Sequence, residues 1–469
     1  MQHKATYTQG SIFSHITVLS TTWAIGLFAI FIVDLVDVFF IALLGQPALA
    51  AAVGFAGVGI FFGSAICIGI VISIGTLVAQ SLGEGAEAAA RRLATHGMLY
   101  MLVWSIQITI LTVVFAEHIM QFLGAREETL AFAVTYFTIV GASLPLLGIA
   151  MAGTAILRSA GDAKLAMWST ISGGIVNAIL DPILIFGVGM GLSGAAIASV
   201  ISRLIVVAVA VLGLIRKHDL LGRIDTSQIW SDFKQLNKIA MPSVITNLSG
   251  PIGASYATMQ MAKFGTDAVA AASVIGRISP VAFAGLYGLS GAIGPVASQN
   301  VGAGQFNRVR ETLIAGAKFS VLYMVPVAIV IFALQGALIS VFQLEGDAAD
   351  LLRFYATFIV ITNILFALQL CANPILTALH HPGLGTISNF ARDLLLAIPL
   401  MTVCAAYFGA PGVLAGQAIA NAIAGIATFS VALWLSHKIE NGWGLDWPLL
   451  STNCHPVRAI PSGVQHRGL

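Results

Sequence analysis

The sequence is short of charge. Only 9% of its residues are Asp, Glu, Lys or Arg, while 58% are hydrophobic. A water-soluble domain carries roughly a quarter charged residues, so this chain lacks the material for an aqueous exterior. Its outer surface is expected to face lipid. Cysteine is scarce as well. Cys67, Cys371, Cys404 and Cys454 show no paired spacing, and at least three fall in apolar stretches, which argues against a disulfide framework or a metal centre. There is no phosphate-cradling Gly-Lys-Ser/Thr run, no haem-attachment box and no cluster of methionine ligands. These absences weigh against an ATP-driven pump or a cofactor enzyme, and no cofactor is expected. The formal net charge of +2 gives no sign of a nucleic-acid partner. Met1 to Gly10 lacks the charged, apolar, then small layout of a cleavable signal, so the first apolar segment is expected to stay in the protein.

What the sequence has instead is long apolar runs. A spanning helix needs about 20 apolar residues. Twelve such segments can be placed: 14–43, 53–77, 97–116, 131–157, 167–188, 194–215, 241–263, 268–291, 317–338, 352–379, 388–407 and 412–436. Short alternating stretches of the β-barrel kind are lacking, so helices are expected throughout. With the N-terminus inside, the inner loops and tails hold Lys4, Arg91, Arg92, Arg158, Lys164, Arg216, Lys217, Arg223, Lys234, Lys238, Arg308, Arg310, Lys318, Lys438, Arg458 and Arg467. The outer loops hold Arg126, Lys263 and Arg353. That asymmetry predicts cytoplasmic termini. Trp443 and Trp447, just past the last span, suit the membrane–water interface.

The two halves repeat. Phe186 to Ala198 matches Phe408 to Ala420 at 7 of 13 positions without a gap. Gly75, Gln80, Gly83, Gly85 and Arg91 recur as Gly294, Gln299, Gly302, Gly304 and Arg310, and Tyr136 recurs as Tyr355, all at offsets of 219 to 222. An even number of spans per half makes the repeats parallel, related by an axis along the membrane normal. The chain therefore divides into a tail (1–13), a six-helix lobe (14–215), a basic linker (216–240), a second six-helix lobe (241–436) and a tail (437–469). The expected fold is an all-α polytopic membrane protein of twelve transmembrane helices in two bundles with pseudo-two-fold symmetry.

Ionisable residues at bilayer depth are costly and mark function by default. Asp34 and Asp37 lie three apart in the first span; Asn177 and Asp181 lie four apart in the fifth, each pair on one helix face. Pro182 follows and removes a backbone donor beside the carboxylate. Ser199 and Ser202 add hydroxyls in the sixth span. Carboxyls in low dielectric resist ionisation, which suits a proton relay, and a carboxylate among neutral oxygens suits Na+ at Asp37, Asn177 and Asp181. At the repeat offsets Asp34, Asp37 and Asp181 become Ala254, Ala257 and Val403, placing cation handling in the first lobe. Arg203 and Arg277 are available as partners for an Asp. Tyr136 and Tyr355 either line a cavity or anchor the interface. Gln80 and Gln299 read as shaping tight inner turns.

The runs Val33-Asp-Leu-Val-Asp-Val-Phe-Phe-Ile-Ala-Leu-Leu-Gly45, Gly161-Asp162, Asn177-x-x-x-Asp181-Pro182 and Gln299-Asn-Val-Gly-Ala-Gly304 resemble the multidrug and toxic compound extrusion (MATE) family. The resemblance covers residues 14 to 436 and implies a V-shaped cavity and H+- or Na+-coupled antiport of cationic, amphipathic compounds. Carried over by position, Asp37, Asn177, Asp181 and Ser199 would form its cation site, and Asp34 has no counterpart. The seventh and tenth spans contain no acid, which is similar to the DinF-like branch. The chain departs from the family in having no proline before Pro47, which leaves no proline to bend the first helix. An inward Arg or Lys set, as a lipid-precursor flippase needs, is limited to Arg203, Arg277 and Arg392 in the substrate path. The expectation is a monomeric exporter in the bacterial inner membrane, with the bilayer and small cationic molecules as its partners.

Overall fold

A computed structural model describes residues 5–44 and 46–441, apart from the side chains of Asp34, Leu35, Val38, Ala42, Pro47, Ala50 and Pro251. Trp443, Trp447 and the rest of the C-terminal tail lie outside the described residues. The first lobe comprises α1 (Ile12–Ala42), α2 (Pro47–Gly83), α3 (Glu87–Val114), α4 (Glu127–Ala142 continued by Leu144–Ser159), α5 (Ala163–Pro182, then a π-turn Ile183–Gly187) and α6 (Gly191–Arg216). The second comprises α7 (Ile229–Ala262), α8 (Thr266–Ala282 continued by Ala284–Gly302), α9 (Phe306–Val341) and α10 (Gly346–Phe354, a π-turn Tyr355–Ile359, then Val360–Ala378). Pro382–Phe390, a π-turn Ala391–Leu396 and the long stretch Ala397–Glu440 complete it. Gly409 interrupts that stretch with φ 66 and ψ −146. Only glycine adopts this geometry at little cost, so α11 ends there and α12 begins. The described residues thus form an all-α polytopic membrane fold whose twelve helices fit the predicted apolar segments. Eight of the helical stretches, or ten counting each bent pair as one, are long and apolar enough to cross a membrane.

The bends have local causes. Glycine apart, α4 turns by 44° at Ser143, just ahead of Pro145, which has no N–H to continue the ladder. The carbonyl that Pro145 leaves without its helical donor, Gly141 O, accepts from Thr109 Oγ1 at 3.2 Å. Val140 O beside it accepts from Ser143 Oγ at 2.8 Å and from Arg203 Nη1 at 2.9 Å, the same nitrogen donating to Ser143 Oγ at 2.5 Å. Arg203 therefore helps to secure the bend. In the second lobe α8 turns by 45° at Phe283, three residues after Pro280. Without an internal proline, α1 runs unbroken through all 31 residues.

The lobes meet by reciprocal contacts that make the repeat visible. Gln80 of α2 donates Nε2 to Ala378 O at 2.9 Å, and Gln299 of α8 donates Nε2 to Ser159 O at 2.7 Å. Each bond joins one lobe to the other, and the two are related residue for residue by an offset of 219. The glutamines thus do more than shape a turn. Beside them the backbones touch: a Cβ on Gly83 would lie 2.0 Å from Gln299 O, and one on Gly302 would lie 2.1 Å from Gln80 O. Tyr7, ahead of α1, is buried in the same seam. Its N–H donates to Gln299 Oε1 at 2.8 Å and its hydroxyl donates to Arg158 O at 2.8 Å, so it too bridges the lobes. The first part of α8 (Thr266–Ala282) packs chiefly within its own lobe, whereas Ala284–Gly302 packs on α1 and α2. The lobes are therefore closed at the end that carries the N-terminus and part toward the other.

Gly302→Val should push that seam open, because a side chain cannot share space with the Gln80 carbonyl. In a background without other cysteines, Ser159→Cys, fully buried at the seam, is expected to react with maleimide faster when Gly302→Val is added. An unchanged rate would show that the seam is not the closure.

Candidate cation site

The site is built on the packing of α1 against α5. Asn177 and Asp181, one helical turn apart, face α1, where Asp37 meets them. Asn177 Nδ2 donates to Asp37 Oδ1 at 3.3 Å. Asp181 is 0% exposed, and neither of its oxygens has a hydrogen-bond partner among the described residues. The Asp37 carboxyl and the Asn177 amide are the polar groups beside it, but their alignment makes no hydrogen bond to it. The helix is irregular at this point: Pro182 and the π-turn Ile183–Gly187 follow the acid at once. π-Turns inside helices recur at functional sites. Gly194 of α6 fits against that turn so closely that a Cβ would lie 2.8 Å from Leu184 O. The neighbouring helix thus fixes the distortion in place.

Chemically, two buried carboxyls in one desolvated pocket cannot both carry charge without a neutralising partner. The arrangement suits a shared proton, or one small monovalent cation held by carboxylate and amide oxygens. An ion would need the Asn177 amide turned so that its oxygen faces inward.

The other sequence candidates are dispersed. The Asp34 side chain lies outside the described residues. Ser199 is half-buried on α6 and makes no hydrogen bond among them. Tyr136 and Tyr355 are both buried in their lobes' apolar cores, and Tyr355 Oη lies 2.7 Å from Ser279 Oγ. Arg277 is exposed on the first part of α8 and has no partner among the described residues. Asp162 serves structure at the end of the molecule that carries the N-terminus. It caps α5 through Leu165 N–H and receives hydrogen bonds from Lys217 Nζ at 2.6 Å and His218 Nε2 at 2.9 Å. The His218 bond, with help from Lys217 and Leu165, outweighs burial and holds this carboxyl well below the usual range.

One buried acid, Asp393, escaped the sequence reading, which named only its partner Arg392. Arg392 Nε and Nη2 donate to Asp393 at 2.7 and 2.9 Å, Arg392 Nη1 donates to Gln369 Oε1 at 2.9 Å, and Ser249 Oγ donates to Asp393 Oδ2 at 2.9 Å. Asp393 lies inside the predicted span 388–407, so depth alone should have marked it. Adjacent residues of a regular helix do not face each other, and the π-turn Ala391–Leu396 is what aligns this pair. The second lobe lacks a twin of the first-lobe acids, as expected at Ala254, Ala257 and Val403, yet it does hold an acid of its own.

Comparison with known proteins agrees with this architecture. The family model described as MatE matches residues 23–183 and 242–403. A FAD transporter of Shewanella oneidensis is 29% identical over 422 residues, covering 89% of this chain and 93% of that protein. The multidrug export protein MepA of Staphylococcus saprophyticus is 21% identical over 446 residues, covering 92% and 96%. A solved outward-facing structure of a multidrug resistance MATE family transporter superposes with a TM-score of 0.86 at 21% identity, covering 93% of this chain and 99% of that one.

Proposed function

We infer, from the acid site and from the fact that this chain belongs to the MatE family of membrane transporters, that it exports small molecules in exchange for a cation. The observation that carries the inference is Asp181, a fully buried carboxyl with no hydrogen-bond partner, beside Asp37 and Asn177. Such a carboxyl is stable only when neutral or neutralised, so it takes up a proton or Na+ in one state and gives it up in another. Alternating access supplies the two states: the seam at Gln80 and Gln299 closes one end, and opening it would expose the path to the other side. Cargo and cation compete through the equilibrium between these states, which is the differential affinity that antiport requires. No chemistry on the cargo is needed, so the protein is read as a transporter and not an enzyme.

For cargo, the first reading is a small amphipathic cation, since the acids of the first lobe offer it a partner in low dielectric. The relative that exports drugs is in keeping with this. The second reading is an anionic, flavin-like cargo. It is favoured by the FAD-transporting relative and by Arg277, a basic side chain at span depth without a partner among the described residues. Transport into sealed vesicles, with proton and sodium gradients imposed separately, tests both. Gradient-driven movement of a lipophilic cationic dye is expected; movement of flavin dinucleotide alone would establish the second reading. No movement with either gradient would overturn cation coupling.

Placement follows the charge asymmetry: a bacterial inner membrane, with both termini cytoplasmic. Cysteines at Gln46 and Asp347 should then be labelled from outside intact cells, and one at Asn307 only after permeabilisation. Labelling of Asn307→Cys from outside would invert the arrangement.

A further inference from the structure

A guanidinium at the inner end of the first lobe is left unused by cation exchange. Arg158 lies in the last turn of α4. Among the described residues its side chain has no carboxylate partner and makes no hydrogen bond, and its one close partner is an aromatic face. The guanidinium carbon lies 3.8 Å from the centroid of the Trp23 ring. Trp23 cannot yield, because it fills the space a side chain would take at Gly291 of the opposite lobe, where a Cβ would lie 1.7 Å from its ring. The guanidinium therefore stacks on a fixed platform.

Beside it lies a cavity of about 40 Å³, lined by Thr22, Trp23, Gly26, Arg158, Met167 and Thr170 among others, with no acid in its wall. Asp162, the acid in the adjoining loop, is taken by Lys217 and His218. Ala163, the first residue of α5, also borders the cavity, so the positive end of a 20-residue helix lies at its edge. A half-buried cation without a counter-charge is costly, and stacking on an indole returns about 2 kcal/mol. A guanidinium offers five donors in a planar fork that matches the oxygens of a phosphate.

We propose that the Arg158–Trp23 cavity is an anion subsite that binds a phosphate group, carried on either a soluble molecule or a lipid headgroup. Arg158 donates to the phosphate oxygens, Trp23 holds the fork flat, and the rest of the ligand extends along the apolar wall at Gly26 and Met167. The subsite is independent of the acid pair at Asp37 and Asp181. Phosphate binding at equilibrium needs no ion gradient, so it can fail while cation coupling stands, and the reverse.

The test uses the full chain in nanodiscs, with phenyl phosphate as probe and benzyl alcohol as the uncharged control, followed by calorimetry. In discs of digalactosyldiacylglycerol, a lipid without phosphate, saturable binding of phenyl phosphate but not benzyl alcohol is expected. Arg158→Gln should weaken it about tenfold or more, the scale of a lost charge-assisted contact. Met167→Glu keeps size and sets a carboxylate against the guanidinium. It should abolish binding while leaving the melting temperature intact, which guards against a misfolded Arg158 variant. Adding phosphatidylglycerol to the discs separates the two sources: competition identifies the headgroup as occupant, and unchanged affinity identifies a soluble phosphate. The proposal is overturned if the parent protein binds no phenyl phosphate in the phosphate-free lipid and its melting temperature does not respond to phosphatidylglycerol. It is equally overturned if both variants bind like the parent.

Discussion

Asp37→Asn and Asp181→Asn are each expected to abolish gradient-driven transport while leaving a folded, inserted protein. The amide keeps the size of the carboxyl and can still hydrogen-bond, so packing between α1 and α5 survives. What it loses is the ability to exist with and without a proton or a bound cation. Coupling between two ligands is worth about 1–3 kcal/mol, a factor of 5 to 150, and that whole factor should go. For Asp181 the fold should gain, because a buried oxygen pair without donors is replaced by a neutral group that carries two of its own. Asn177→Ala removes only the donor to Asp37 and should reduce transport less. The measurement is efflux per inserted molecule, with cargo affinity determined alongside. Retained affinity with lost gradient dependence is the expected signature, and full gradient-driven efflux by the Asp37→Asn, Asp181→Asn double variant would refute the assignment.

The spans were legible in the sequence because bilayer thickness sets a length that few other constraints imitate. Their ends were not. The second span was expected over 53–77, but its helix runs from Pro47 to Gly83, since helix formation continues past the hydrocarbon wherever backbone bonds and packing allow. The same holds for α7, which starts at Ile229 within the stretch taken as linker. Phe233, Leu236, Ile239 and Ala240 form an amphipathic face there, packed into the core around α3, and an apolar window does not detect such a face.

The acid site was legible for a simple reason. Two polar residues at i and i+4 in an apolar helix must share a face, and α5 is regular up to Asp181. That Asp181 lacks a donor could not be seen, because it depends on what α1 offers across the gap. The symmetry-related glutamines were visible as a repeat, yet their bonds run from each lobe to the other, which no offset within one chain reveals. Arg203 reads in the sequence as an available partner for an Asp, and its bonds to Val140 O and Ser143 Oγ at the α4 bend could not be seen, since only the folded geometry brings α6 to that bend.

Asp393→Ala should be the most destabilising single change in the second lobe, by about 3–5 kcal/mol, because it leaves Arg392 as a buried and uncompensated charge. The Arg392 side chain is only 10% exposed. Two of its three donated bonds end on Asp393, while Gln369 alone takes the third. Asp393→Asn would keep an acceptor but lose the ionic partner, and should fall between Ala and the parent. Removing both charges is a different matter. Arg392→Met with Asp393→Leu fills similar volume with apolar atoms, and buried ion pairs replaced in this way are often neutral or stabilising. The double variant should therefore melt within a few degrees of the parent, well above Asp393→Ala. Thermal unfolding in detergent resolves the series, and transport by the double variant then separates two roles for the pair. If it is stable and transports normally, Arg392 and Asp393 are structural. If it is stable and inactive, the charges act in turnover, which the π-turn that aligns them would favour. A double variant no more stable than Asp393→Ala would show instead that Gln369 and Ser249 need the ion pair, and that the network stands or falls as one unit.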